Sequence, residues 1–132
     1  MVRTIRAVLL VLPVVITGLY VSATTCVSNK KFKVKAVCGV VTDPTGVPIP
    51  DVDVELENVQ SVVLQQVRTS EDGRFYMPNI RKGEYALRVK SRYFVQAWQP
   101  FVLTKSSAKG RCTPMSVRLE LAGRCSWVSK PK

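Results

Sequence analysis

Four cysteines are the residues whose type and spacing point most directly to a chemistry. They stand at Cys26, Cys38, Cys112 and Cys125, separated by 12, 74 and 13 positions. An even number of cysteines in a short chain is typical of exported proteins that are held together by disulfide bonds. Zinc knuckles need closely paired cysteines, and this spacing does not provide them. The four residues are therefore disulfide candidates rather than metal ligands.

The length of an extended chain helps to distinguish among the three disulfide pairings that four cysteines allow. If the chain is extended from Cys26 to Cys38, and again from Cys112 to Cys125, each gap spans up to roughly 40 Å. Bridged α-carbons lie within about 7 Å of each other. Bridges then join the two ends of the chain, and the similar short gaps suit two parallel neighbours. We predict the pairs Cys26–Cys112 and Cys38–Cys125.

Histidine is absent from the 132 residues of the chain. Its absence excludes His-rich zinc centres, Ser-His-Asp and Cys-His nucleophile pairs, and the commonest general base near neutral pH. Asp51, Asp53, Glu55 and Glu57 remain as candidates for catalysis or calcium binding, but their strict alternation with apolar residues predicts a solvated strand face. We predict that the protein is not an enzyme and that it has no cofactor and no metal site.

Four aromatic residues lie close together in one stretch of the sequence, between positions 93 and 101. They form a candidate ligand platform, on which a sugar or a peptide would stack, at Tyr93, Phe94, Trp98 and Phe101. The alternative is that Tyr93 and Phe101 close the hydrophobic core and the other two cover it.

The chain is strongly basic, with 20 Lys and Arg residues, 9 Asp and Glu residues and a formal charge of +11. The outer faces of two predicted strands carry a candidate basic patch at Lys31, Lys33, Lys35, Arg88, Lys90 and Arg92. Such a surface attracts anionic glycans, lipid head groups or an acidic protein, and a merely solubilising face is the alternative. Nucleic acid is not an expected partner, because the sequence has no recognised nucleic-acid-binding module.

The first 23 residues have the pattern of a secretory signal peptide. Arg3 and Arg6 precede an uncharged apolar run from Ala7 to Val21, and small residues then form a cleavage site that ends at Ala23. Two alternatives would bring the protein to a membrane, namely retention of this segment as an anchor and lipidation of Cys26. We predict a secreted or periplasmic protein, with cell-surface association as an option.

The mature chain is predicted to consist of β-strands separated by turn signals. Residues 51–57 alternate without a fault, which places Val52, Val54 and Leu56 on the core side. Seven strands are predicted, at residues 31–41, 51–57, 62–69, 75–77, 84–90, 101–103 and 117–121. The alternation slips near Gly39, where we predict a β-bulge. Short strands at this spacing predict a two-sheet sandwich at residues 37–123, after a basic strand or extension at 24–36 and before a loose tail at 124–132.

Three sequence blocks resemble the carboxypeptidase regulatory-like domain family. In order, they are Gly39-x-Val41-Thr42-Asp43-x-x-Gly46-x-Pro48-Ile49-Pro50-x-Val52-x-Val54-x-Leu56, Thr69-x-x-Asp72-Gly73-Arg74-Phe75 and Gly83-x-Tyr85-x-Leu87-x-Val89. The resemblance covers roughly residues 37–104. It implies an all-β, seven-stranded, transthyretin-like (prealbumin-type) Greek-key β-sandwich.

The resemblance also carries an expectation about function. In this family the domain is usually a non-catalytic companion of peptidases, outer-membrane receptors or surface proteins. Hydroxyisourate hydrolases share the transthyretin-like fold, but their mechanism depends on histidines, which this chain lacks. We therefore expect a non-catalytic exported module with a structural or protein-interaction role. The alternative is a carbohydrate-binding module of a cell-surface or periplasmic system.

Overall fold

The computed structural model describes Cys26 and residues 28–106 and 112–132, so the predicted signal peptide at residues 1–23 lies outside the described residues. The described strands are β1 (Phe32–Val34), β2 (Val37–Thr42), β3 (Asp53–Glu57), β4 (Val63–Arg68), β5 (Arg74–Met77), β6 (Gly83–Lys90), β7 (Ala97–Leu103), β8 (Met115–Arg118) and β9 (Trp127–Ser129). They form two sheets with the strand orders β1-β7-β6-β3-β4 and β5-β2-β8-β9. The predicted all-β sandwich is confirmed, although nine strands are described where seven were predicted. Within the same residues, no helix is long and apolar enough to cross a membrane.

Alternate side chains of the strands meet between the two sheets and form the core. In the five-stranded sheet, Leu56 of β3, Leu87 of β6 and Phe101 of β7 are fully buried. The facing sheet contributes Met77 of β5 and Val41 of β2, which are also fully buried. Burial of each such side chain contributes about 2 kcal/mol. Because the core takes one face of each sheet, polar and charged side chains are left for the outer faces.

The first predicted strand is two strands that belong to different sheets. The chain bends at Lys35 and Ala36. Before the bend β1 pairs in parallel with β7, and after it β2 pairs with β5 and β8. The prediction of a β-bulge at Gly39 is wrong, because β2 runs in unbroken register with both neighbours. Glycine is needed there for space, since a Cβ at Gly39 would lie 2.6 Å from the ring of Phe75.

The predicted C-terminal tail contains the edge strand β9. This strand pairs in antiparallel register with β8, with Val128 opposite Val117. Gly123, at a φ of 91°, supplies the left-handed conformation that the intervening turn requires. Since Val128 is buried in the core cluster, residues 127–129 are part of the folded sandwich.

Two disulfide bonds join the two ends of the described chain, in a pairing that differs from the prediction. The bonds are Cys26–Cys125 and Cys38–Cys112. The predicted pairs are wrong because neither short gap is a single extended run: the chain changes sheet before Cys38, and it turns back between β8 and β9. The parallel strands β2 and β8 start at the same end of the sandwich, which places Cys38 beside Cys112.

Candidate functional site

The outer face of the five-stranded sheet carries carboxylates that are covered by cations. Glu55 and Glu57 of β3 lie on the face opposite the core, as predicted, but only 7% and 3% of these residues is exposed. Arg88 donates hydrogen bonds to Glu57 through Nε and Nη2, and Lys90 forms an ion pair with Glu55. The prediction of a solvated face is therefore wrong for these two carboxylates, because longer side chains of the neighbouring strand β6 cover them.

Trp98 completes the surroundings of Glu57. Its indole Nε1 donates to Glu57 Oε2 at 3.3 Å. The hydrogen bond from Arg88 lowers the pKa of Glu57, burial acts in the opposite direction, and the Trp98 hydrogen bond lowers the pKa further. The same Glu57–Arg88 hydrogen bond raises the pKa of Arg88. Both groups are thus held in their charged forms, whereas a general acid or base needs a pKa close to the working pH.

The structure separates the six residues of the predicted basic patch by their partners. Three of them form ion pairs with carboxylates on the outer face of the five-stranded sheet: Lys31, Arg88 and Lys90. Arg92 lies in the turn after β6, where its guanidinium is 5.8 Å from the centre of the Tyr93 ring. Lys33 and Lys35 are exposed and belong to a different group of cations at one end of the sandwich.

The four residues of the predicted aromatic platform occupy different environments. Phe101 is fully buried in the core, and Phe94 packs against the core. Trp98 is half-buried, and Tyr93 is 74% exposed in the turn after β6. Because Phe101 points between the sheets, the four side chains do not form one exposed surface.

Seven exposed basic side chains lie at one end of the sandwich, which we call the basic end. Its members are Lys33, Lys35, Arg81, Lys82, Lys105, Lys130 and Lys132. In the five-stranded sheet, Val34 and Gly83 both lie opposite Leu103. Residues that follow Val34, precede Gly83 or follow Leu103 therefore share one end of the molecule. None of the ion pairs within the described part of the chain includes a member of the basic end.

A cavity of about 270 Å³ lies within the basic end. Lys33, Lys35 and Lys132 contribute to its lining. The chain beside it is fixed by Thr104, whose amide N–H and hydroxyl group both donate to the carbonyl oxygen of Val34, at 2.9 and 3.2 Å. Lysines from the two ends of the described chain thus converge on one concave surface.

The carboxylates outside the described ion pairs lie at the opposite end of the sandwich. They are Asp43, Asp51, Glu71 and Asp72. The connection between β2 and β3 and the turn between β4 and β5 carry them, and these segments touch through the hydrogen bond from Asp51 N to Thr69 O at 3.1 Å. Three cations outside the described ion pairs lie at this end as well, namely Arg74, Arg92 and Arg124. Charge is thus segregated along the direction of the strands.

Sequence patterns identify only part of the basic end. Alternation with apolar residues predicts that Lys33 and Lys35 are exposed on a strand. Three other lysines lie outside the predicted strands, where no periodicity predicts their position: Lys105, Lys130 and Lys132. Their grouping depends on which connections share an end of the sandwich, and the strand order decides that. In the described residues, no group of three or more His, Cys, Asp or Glu side chains is arranged to hold a metal ion.

The fold and its motif-bearing turns define a disulfide-bonded β-sandwich domain. The carboxypeptidase regulatory-like domain family matches residues 36–117, which is more than half of the chain. The chain therefore belongs to the carboxypeptidase regulatory-like domain family.

Comparison with solved structures provides separate evidence for the fold. The 5-hydroxyisourate hydrolase of Klebsiella pneumoniae has a TM-score of 0.51 and 18% sequence identity, over 72% of this chain and 99% of that chain. At this identity the similarity shows the fold alone, and it confirms the predicted transthyretin-like sandwich. None of the curated proteins compared with the chain matches it.

Proposed function

We propose that the protein is a non-catalytic interaction module of a secreted or periplasmic setting, and that it binds an acidic protein through its basic end. The two disulfide bonds support an oxidising compartment. The segregation of unpaired charge carries the proposal: seven exposed cations share one end of the sandwich, and no described ion pair neutralises them.

A non-catalytic role is supported by the state of the groups that could do chemistry. The chain has no histidine. Each buried carboxylate of the described chain is held in an ion pair with a cation, namely Glu55, Glu57 and Glu120. Side chains fixed in this way stabilise the sheet and are not free to act on a substrate.

An acidic protein is the partner that suits the basic end best. A concentrated patch of one sign of charge attracts an oppositely charged surface, increases the association rate and makes binding sensitive to salt. The cavity lined by Lys33, Lys35 and Lys132 offers a concave place for a carboxylate side chain. The paired cations Arg88 and Lys90 are less suited, because their charge is already compensated.

A carbohydrate site on the predicted aromatic platform has less support. It requires Tyr93, Phe94, Trp98 and Phe101 to present one stacking surface, whereas Phe101 is fully buried and Phe94 packs against the core. Tyr93 and Trp98 are the two members that a ligand can reach.

Two charge-reversed variants test the proposal. Lys33→Glu with Lys35→Glu changes the basic end, and Arg92→Glu with Arg124→Glu changes the opposite end by the same net charge. Binding to poly-L-glutamate, as an acidic polypeptide probe, is measured at low and at physiological salt. We expect roughly tenfold weaker binding for the first variant and less than about twofold for the second. Equal losses would show that binding follows net charge, and the proposed surface would then be wrong.

A further inference from the structure

Both tryptophans of the chain line the same cavity. This cavity has a volume of about 290 Å³ and lies where the start of β7 approaches β9, at one side of the sandwich. Trp98 of β7 is half-buried, and Trp127 of β9 is 46% exposed. We call this cavity the tryptophan cleft. It is distinct from the basic end, because none of the seven basic-end residues lines it.

The cleft exists because β1 covers only part of β7. The parallel pairing begins at Phe32 opposite Phe101, so the described strand β1 leaves residues 97–100 of β7 without a neighbour on that side. The segment before β1 crosses this gap, and Gln99 Nε2 holds it by donating to the Lys30 carbonyl oxygen at 2.7 Å. The Cys26–Cys125 bond ties the same segment to the residues that precede β9.

The floor of the cleft is fixed by hydrogen bonds within the protein. The Ser126 hydroxyl donates to the Val95 carbonyl oxygen and accepts from the Glu120 amide at 2.8 Å. The Trp98 indole is oriented by its hydrogen bond to Glu57. A site that is formed before binding loses less conformational entropy when a ligand enters.

The chemistry of the lining is uncharged. Its residues are Cys26, Ser28, Trp98, Gln99, Cys125, Ser126, Trp127 and Val128. In a protein with a formal charge of +11, a cleft without a charged side chain is suited to a neutral ligand. Aromatic faces pack against the C–H faces of a pyranose ring. The Ser28 hydroxyl and the Gln99 Oε1 atom form no hydrogen bond to other described residues, so both are left to bind a ligand's hydroxyl groups.

We propose that the tryptophan cleft binds a sugar unit of an uncharged glycan. The ring is held between or against the two indoles, with Ser28 and Gln99 Oε1 as its hydrogen-bonding partners. The volume of about 290 Å³ suits one or two sugar rings, at the lower limit of typical small-molecule sites. This activity is independent of the basic end, and either site can fail without the other.

Intrinsic fluorescence gives a direct test, because the only two tryptophans of the chain both line the cleft. The full mature protein is screened on a glycan array that contains neutral and acidic glycans, and the neutral binders are then titrated while tryptophan emission is followed. We expect at least one neutral glycan to bind and to shift the emission. Trp127→Ala, at an exposed position, is expected to weaken binding roughly tenfold or more.

Tyr93→Ala is the matched control, since it removes an exposed aromatic ring that is outside the cleft. It is expected to bind as the unmodified protein does, and circular dichroism verifies the fold of both variants. The proposal is overturned if no neutral glycan binds, if only acidic glycans bind, or if Trp127→Ala binds as tightly as Tyr93→Ala.

Discussion

Glu57 is the carboxylate whose surroundings differ most from what the sequence indicates. It lies on the outer face of the sheet, yet Arg88 and Trp98 enclose it and leave 3% of the residue exposed. Removing one partner of such a pair leaves a buried charge without compensation, which costs more than the pair itself contributes. At the residue scale, the stability of this face therefore depends on Arg88.

Arg88→Ala is expected to lower the free energy of unfolding by about 3 kcal/mol at pH 7. The folded-state pKa of Glu57 lies below its ordinary value of 4.5, so its contribution to stability is present above about pH 4.5 and is lost as the pH falls through the folded pKa. The difference between the two proteins should therefore shrink as the pH is lowered from neutral. Urea denaturation at a series of pH values measures this difference.

Lys31→Ala provides the control for Arg88→Ala. It breaks the exposed ion pair with Glu84, and such pairs contribute less than about 1 kcal/mol. Equal effects of the two substitutions, or a difference that does not change with pH, would contradict the role given to Arg88.

The residue scale also shows where sequence reasoning succeeds. Alternation is a local property, so it correctly assigns Val54 and Leu56 to the core and Glu57 to the other face. It does not indicate which side chains of a neighbouring strand cover that face. The cover on Glu57 comes from Arg88 and Trp98, 31 and 41 positions away, and only the strand register brings them together.

At the scale of elements, the change of sheet between β1 and β2 determines the cysteine pairing. One extended strand would carry Cys26 and Cys38 in a single line, whereas the bend at Lys35 and Ala36 sends the two cysteines to different parts of the sandwich. The sequence shows the slip in alternation but not its cause. The partners of β1 and β2 are distant in the chain, so local patterns do not reveal that the two strands belong to different sheets.

Peptide mapping without reduction tests this arrangement. Trypsin cleaves after Lys30, Lys35, Arg111 and Arg124, so each cysteine falls in a separate peptide. We expect mass spectrometry to find peptide 112–118 linked to peptide 36–68, and peptide 125–132 linked to the peptide that contains Cys26. Linkage of 112–118 to the Cys26 peptide would contradict the change of sheet, and reduction should release all four peptides as a control.

At the scale of the whole molecule, the distribution of charge matters more than its sum. The net formal charge of +11 is visible in the sequence, but the sequence does not show which cations are paired with carboxylates. Seven of the described cations outside the ion pairs share the basic end, while the unpaired carboxylates lie at the other end. Electrostatic attraction over about 10 Å then orients an acidic partner towards one end of the sandwich.

A two-dimensional ¹H–¹⁵N spectrum of the labelled protein, recorded during a titration with poly-L-glutamate, tests this account most directly. We expect the amide shifts to be confined to the basic end, around residues 33–36, 81–83, 104–106 and 130–132, and to vanish at high salt. Shifts centred on the turns at residues 43–51 and 70–73, or spread evenly over both ends, would contradict the account.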